Sequence, residues 1–92
     1  MSYRLTTTER FDRQFKRLDR SVQKTIKNWI DKHLVGIEDP RAIGGMLVGN
    51  LAGYWKYRIG DYRMIVEIND DELKIVAIDI DHRSAVYKKW PK

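Results

Sequence analysis

The sequence predicts an α+β fold: a helical hairpin packed on a small, mainly antiparallel four-stranded sheet, in the order β-α-α-β-β-β. Three observations carry this. Apolar residues recur at helical spacing from Phe11 to Leu34, then alternate at strand spacing from Trp55 onward. Gly60-Asp61 separates two alternating runs as a two-residue hairpin turn with Gly at the first central position. The chain has 92 residues, 42% of them hydrophobic, which predicts one domain over residues 1–92 with a thin core.

The first element is a short strand over Tyr3-Arg4-Leu5-Thr6-Thr7, which alternates and is rich in β-formers. Thr6 with Glu9 matches a capping box, and Thr7 or Thr8 serves equally as the cap. Phe11, Phe15 and Leu18 then mark the buried side of a first helix, with Arg13, Gln14, Lys16 and Arg17 between them. Ser21 is placed to cap a second helix, whose apolar stripe is Val22, Ile26, Trp29, Ile30, Leu34 and Ile37. The short connection predicts an antiparallel pair, with Trp29 and Ile30 on the sheet. His33 lies beside the stripe and reads as structural.

Gly36 to Pro40 ends the second helix. Gly44-Gly45 signals a loop before a short strand across residues 46–48, and the glycines there serve turn geometry. No Gly-Lys-Ser/Thr follows, so this is no phosphate-binding loop. In the hairpin, Trp55, Tyr57 and Ile59 point to one face and Lys56 and Arg58 to the other. The turn sets Ile59 opposite Tyr62 and Arg58 opposite Arg63. Two facing arginines repel, and an anion resting on Lys56, Arg58 and Arg63 gives that arrangement a purpose. Asn69-Asp70-Asp71-Glu72 is a polar turn before a last strand over residues 73–80. The predicted register pairs Ile68 with Leu73 and Glu67 with Lys74, and brings Ile78 beside Arg63. Residues 81–92 read as a tail rich in aromatics and cations.

The formal charge of +5 points to an anionic partner, nucleic acid or an acidic protein. Residues 1–35 hold nine Lys/Arg against four Asp/Glu, much of it the solvated side of the helices. Residues 36–92 hold nine of each, sorted into cations at 56, 58, 63, 83, 88, 89 and 92 and acids at 70–72. Cysteine is absent, which removes disulfides and thiolate metal sites and suits the cytoplasm. No apolar run approaches the ~20 residues that span a bilayer. Met1-Ser2-Tyr3-Arg4 leads directly into patterned sequence rather than into a signal peptide.

No calcium-loop spacing, Ser-His-Asp arrangement or glycosidase-like pair of carboxylates on one strand face stands out. The group that carries chemistry is Lys56, Arg58, Arg63, Arg83 and Tyr87. Cations around a phosphate stabilise the charge that builds during phosphoryl transfer. With RNA, the substrate's own 2′-hydroxyl is a nucleophile, and a lysine among other cations is a candidate base. An aromatic among cations also suits single-stranded nucleic acid, whose bases stack on rings. The same group equally describes a plain binding surface.

The chain resembles the RelE branch of the RelE/ParE toxin superfamily. The resemblance rests on Asp39-Pro40, the stretch from Leu47-Val48-Gly49 to Gly53, Trp55 through Arg63, and Asp81-His82-Arg83-Ser84-Ala85-Val86-Tyr87. It implies a small α+β toxin that cuts messenger RNA in the ribosomal A site, without cofactors. It also implies a cognate antitoxin as partner, and contact with operator DNA only through the antitoxin complex. By position, Lys56 and Arg58 match two basic residues of the family's third strand, and Lys56 is the one assigned to activate the 2′-hydroxyl. Arg63 matches the arginine that stabilises the pentavalent phosphate, Arg83 the arginine proposed to protonate the leaving 5′-oxygen, and Tyr87 the tyrosine that stacks on or orients a nucleotide. Arg58 is a poor base because guanidinium stays protonated, and His82 beside Arg83 is a second candidate for acid–base work. The competing implication is a ParE-like toxin that inhibits DNA gyrase without cutting RNA. A member that acts only within an antitoxin complex fits the same residues.

Overall fold

A computed structural model describes residues 1–47 and 53–89. Its elements are β1 (Arg4–Thr7), α1 (Glu9–Lys16), α2 (Arg20–His33), β2 (Gly45–Met46), β3 (Tyr54–Ile59), β4 (Tyr62–Asn69), β5 (Lys74–His82) and α3 (Arg83–Lys89). The sheet has five strands in the order β1-β5-β4-β3-β2. β1 runs parallel to β5, and the other neighbours are antiparallel.

Two corrections to the predicted architecture follow. The short strand expected across residues 46–48 appears as Gly45–Met46 and pairs with Lys56 and Trp55 at the sheet edge, which makes the sheet five-stranded rather than four-stranded; residue 48 lies outside the described residues. The tail is a helix up to Lys89, anchored by fully buried Val86. Among the three candidate caps of α1, Thr8 does the work: its Oγ1 accepts from the Phe11 N–H at 3.2 Å. α2 starts two residues earlier than a Ser21 cap implies, with Asp19 at the N-cap. The Gln23 side-chain amide donates to Phe15 O at 2.9 Å and Leu18 O at 3.0 Å, which ties α2 to the open end of α1.

The two sheet faces are covered differently. Phe11, Ile26 and Leu34 from the helices pack with Tyr57, Ile59, Met64, Val66, Ile75, Ala77 and Ile80. Trp29 meets Tyr57 with ring centroids 5.5 Å apart. On the opposite face a smaller group, Leu47, Ile65 and Val86 with Tyr54, seats α3. Loop 39–47 is fastened to β3 by its aromatics. The Tyr57 hydroxyl donates to Pro40 O at 2.6 Å, and Trp55 Nε1 donates to Ile43 O at 2.7 Å. Gly44 there has φ +83°, and a Cβ would strike Lys56 O and come within 2.7 Å of Trp55 Nε1.

The β3–β4 register is as the turn predicts, with Ile59 facing Tyr62 and Arg58 facing Arg63. The β4–β5 register is not. Ile68 pairs with Ile75, Glu67 with Val76 and Arg63 with Asp81. The connecting turn sits one residue later than predicted, with Leu73 at φ 53° and the Glu72 N–H donating to Asn69 Oδ1 at 3.0 Å. A bulge between Ile65 and Val66 adds a further shift. Lys74 consequently pairs with Glu72 at 3.2 Å rather than with Glu67.

Candidate active site

The site is built on the α3-covered face of β3, β4 and β5. Alternation on β3 carries Lys56 and Arg58 there, and the two-residue turn carries Arg63 beside Arg58. The Arg83 N–H donates to Asp61 O at 2.8 Å, fixing the start of α3 to the hairpin turn. One helical turn on, Tyr87 meets both strands. Lys56 Nζ lies 5.6 Å and Arg63 Cζ 6.0 Å from its ring centroid. Residues 31 positions apart in sequence, Lys56 and Tyr87, thus converge with Arg63 on one ring.

Arg63 is only 2% exposed. Its Nη1 donates to Gly60 O at 2.8 Å and Tyr62 O at 2.9 Å, which aims the guanidinium. Its Nε is buried without a hydrogen-bond partner among the described residues. An unsatisfied buried donor on a charged group is costly, by about 1–3 kcal/mol or more, and such groups in native folds point to a ligand or a functional role. Arg58 is exposed at the ladder position facing Arg63. Arg83 is exposed at the first position of α3 and is placed near the ring cluster only through its backbone. His82 lies apart from that cluster. Its ring packs edge-on against Tyr62 at 5.7 Å, and its Nδ1 accepts from the Ser84 N–H at 3.2 Å. That bond places the proton of neutral His82 on Nε2.

The sequence reading missed a carboxylate pair. Asp79 and Asp81 share one face of β5, because the strand continues to His82 rather than ending at residue 80. This corrects the expectation that no strand face holds two carboxylates. Asp79 is fully buried and pairs with Lys89 Nζ at 3.1 Å and Arg10 at 3.3 Å. Asp81 pairs with the same Lys89 at 3.3 Å. The visible signal was two acids two residues apart in an otherwise apolar strand, an arrangement that demands cations once the strand is buried.

A family model described as ParE toxin of type II toxin-antitoxin system, parDE, matches residues 5–87. Toxin RelG of Mycobacterium tuberculosis (strain ATCC 25618 / H37Rv) is 33% identical over 51 residues, covering 55% of this chain and 59% of RelG. The chain therefore aligns with less than two thirds of that relative's length. The toxin–antitoxin complex RelBE2 from Mycobacterium tuberculosis superposes with a TM-score of 0.78 at 24% identity, over 90% of this chain and 100% of that one. The isolated E. coli RelE toxin superposes with a TM-score of 0.68 at 18% identity, over 96% and 94% of the two chains. At these identities the two structures establish a shared fold. Together with the family match across both the hairpin and the closing segment, they place the chain in the ParE toxin family of type II toxin–antitoxin systems, within the RelE/ParE superfamily.

Proposed function

We propose that this toxin is a ribosome-dependent mRNA endoribonuclease that cleaves in the A site and so inhibits translation in the cytoplasm. The observation that carries the reading is the Tyr87 ring set against both Lys56 Nζ and Arg63 Cζ. A base stacks on the ring while the cations hold the phosphate beside it. In the reaction, Lys56 takes the 2′-hydroxyl proton, and O2′ bonds to phosphorus. Arg63 and Arg58 stabilise the added charge on the pentavalent phosphate. The bond to O5′ breaks and that oxygen takes a proton from the Arg83 guanidinium, which solvent reprotonates. The products are a 2′,3′-cyclic phosphate and a 5′-hydroxyl, so no cofactor enters the balance. His82, held against Tyr62 on the other side of the strand, is the less favourable proton donor.

Solved neighbours of the chain include complexes of a RelE toxin with its RelB antitoxin. By analogy, a cognate antitoxin covers the cationic face of this chain with acidic and apolar segments, and operator DNA is reached only through that complex. The description of the matching family keeps a second reading in view, inhibition of DNA gyrase without RNA cleavage. Primer extension on translated mRNA, run beside a gyrase supercoiling assay, separates the two. Ribosome-dependent stops with unimpaired supercoiling support the nuclease. Loss of supercoiling with intact mRNA reverses the assignment.

A further inference from the structure

Arg63 and Asp81 face each other directly where β4 pairs with β5. Side chains in that relation stand about 4.5–5.5 Å apart at Cβ, close enough for a guanidinium and a carboxylate to pair. Among the described residues Arg63 has no carboxylate partner; its Nη1 is given to two backbone carbonyls and its Nε to nothing. Asp81 is turned elsewhere. Its Oδ1 accepts from the His82 N–H at 2.8 Å, and its Oδ2 lies 3.3 Å from Lys89 Nζ. The same ammonium holds Asp79 at 3.1 Å. A lysine ammonium is a compact charge with three donors, suited to gathering two carboxylates at one point. Val86, fully buried one turn earlier in α3, fixes where that point lies.

We propose that Lys89 is a positioning residue: it draws Asp81, with Asp79, away from Arg63 and so keeps the guanidinium uncompensated for a phosphate. This rests on the reading above, in which Arg63 meets the scissile phosphate. The arrangement resolves an electrostatic conflict within the site. Two acids beneath the cationic face would cancel the charge that attracts RNA, and a third group outside the reacting set absorbs them instead. Removing Lys89 frees the two acids unequally. Asp79 keeps Arg10 at 3.3 Å, whereas Asp81 is left to swing onto the empty Nε of Arg63.

The test is a suppressor experiment. Lys89→Met lowers cleavage per folded molecule by about tenfold or more, as loss of a transition-state charge does. Adding Asp81→Asn, which removes the competing carboxylate, restores cleavage to within about threefold of wild type. Arg10→Met removes a second cationic partner of Asp79 without releasing Asp81 and stays within about twofold. Thermal melts of every variant supply the folded fraction. A merely structural role for Lys89 predicts no rescue by a second polar substitution, so a double variant as slow as Lys89→Met overturns the proposal, as does wild-type cleavage by Lys89→Met. A second arm needs no cleavage. The Arg63 Nε–H resonance in a 15N-labelled sample shifts in Lys89→Met and returns in the double variant. An unmoved resonance overturns the proposal. If wild type cuts no RNA while the resonance responds as stated, the nuclease reading fails and the Lys89 clamp stands.

Discussion

On the helix-covered face of the sheet, Tyr57, Ile59, Met64 and Val66 are buried in an apolar cluster with residues of α1 and α2. On the α3-covered face the same two strands present Lys56, Arg58 and Arg63, with Asp79 and Asp81 alongside and, among the described residues, Leu47, Ile65 and Val86 with Tyr54 as a small apolar anchor. The first face gains stability from area removed from water. The second carries buried charge, an unsatisfied donor and facing arginines, each of which costs stability. A fold tolerates such a face only when the other side holds it together. Substitutions on the two faces should therefore separate: stability losses from one, functional losses from the other.

Ile26→Ala makes the sharpest stability test, since Ile26 is fully buried in the helix-side core. A loss of about 2–5 kcal/mol in denaturant unfolding is expected, with RNA cleavage per folded molecule unchanged. An equal fall in specific activity would break the separation of the faces. Gly44→Ala comes next. The residue is strained at φ +83° and its new methyl group would strike the backbone of Lys56. A cost of about 1–3 kcal/mol or more follows. Unlike Ile26→Ala, it should also reduce activity, because it displaces the strand that carries Lys56.

Tyr57→Phe should cost about 1–2 kcal/mol by leaving Pro40 O without its donor. It also has a pH signature. Burial raises the Tyr57 phenol above its ordinary value of 10.0, so the folded state holds the proton more tightly than the unfolded chain. That contribution is complete below pH ~10 and is lost as pH rises further. Melts between pH 9 and 11 should fall more steeply for wild type than for Tyr57→Phe. The smallest effect belongs to Asp70, which Arg41 grips through Nη1 and Nη2 at 3.0 and 3.2 Å and Tyr3 holds at 2.7 Å. The Arg41 hydrogen bonds, then that of Tyr3, hold its carboxyl below the ordinary 3.8. Its contribution is therefore present above that value and lost as pH falls through the lowered one. Asp70→Asn should melt slightly lower than wild type at pH 7, with the difference vanishing in acid.

How far the sequence revealed this division depended on local chemistry. The β3–β4 hairpin was legible because Gly60-Asp61 leaves one register, and with it the clustering of Lys56, Arg58 and Arg63. The helix-side core was legible from the period of Phe11, Ile26 and Leu34. The β4–β5 register was not, because a non-glycine residue at positive φ and a bulge both shift it, and neither has a fixed sequence signature. That shift puts Asp81 rather than Ile78 beside Arg63, so the acidic half of the site stayed hidden. The closing helix was obscured for another reason. Seven residues are too few for a periodic stripe, and its first turn is stabilised by the His82 ring nitrogen instead of an ordinary Ser or Asp cap.

If the charged face cleaves RNA as proposed, Arg63 bears the charge that builds on the phosphate. Single-turnover cleavage of mRNA in programmed ribosomes, compared between wild type and Arg63→Ala at equal folded concentration, addresses it directly. A loss of about 10²–10³-fold in rate is expected, with antitoxin-free Arg63→Ala still cooperatively folded. Cleavage by Arg63→Ala at the wild-type rate would contradict it.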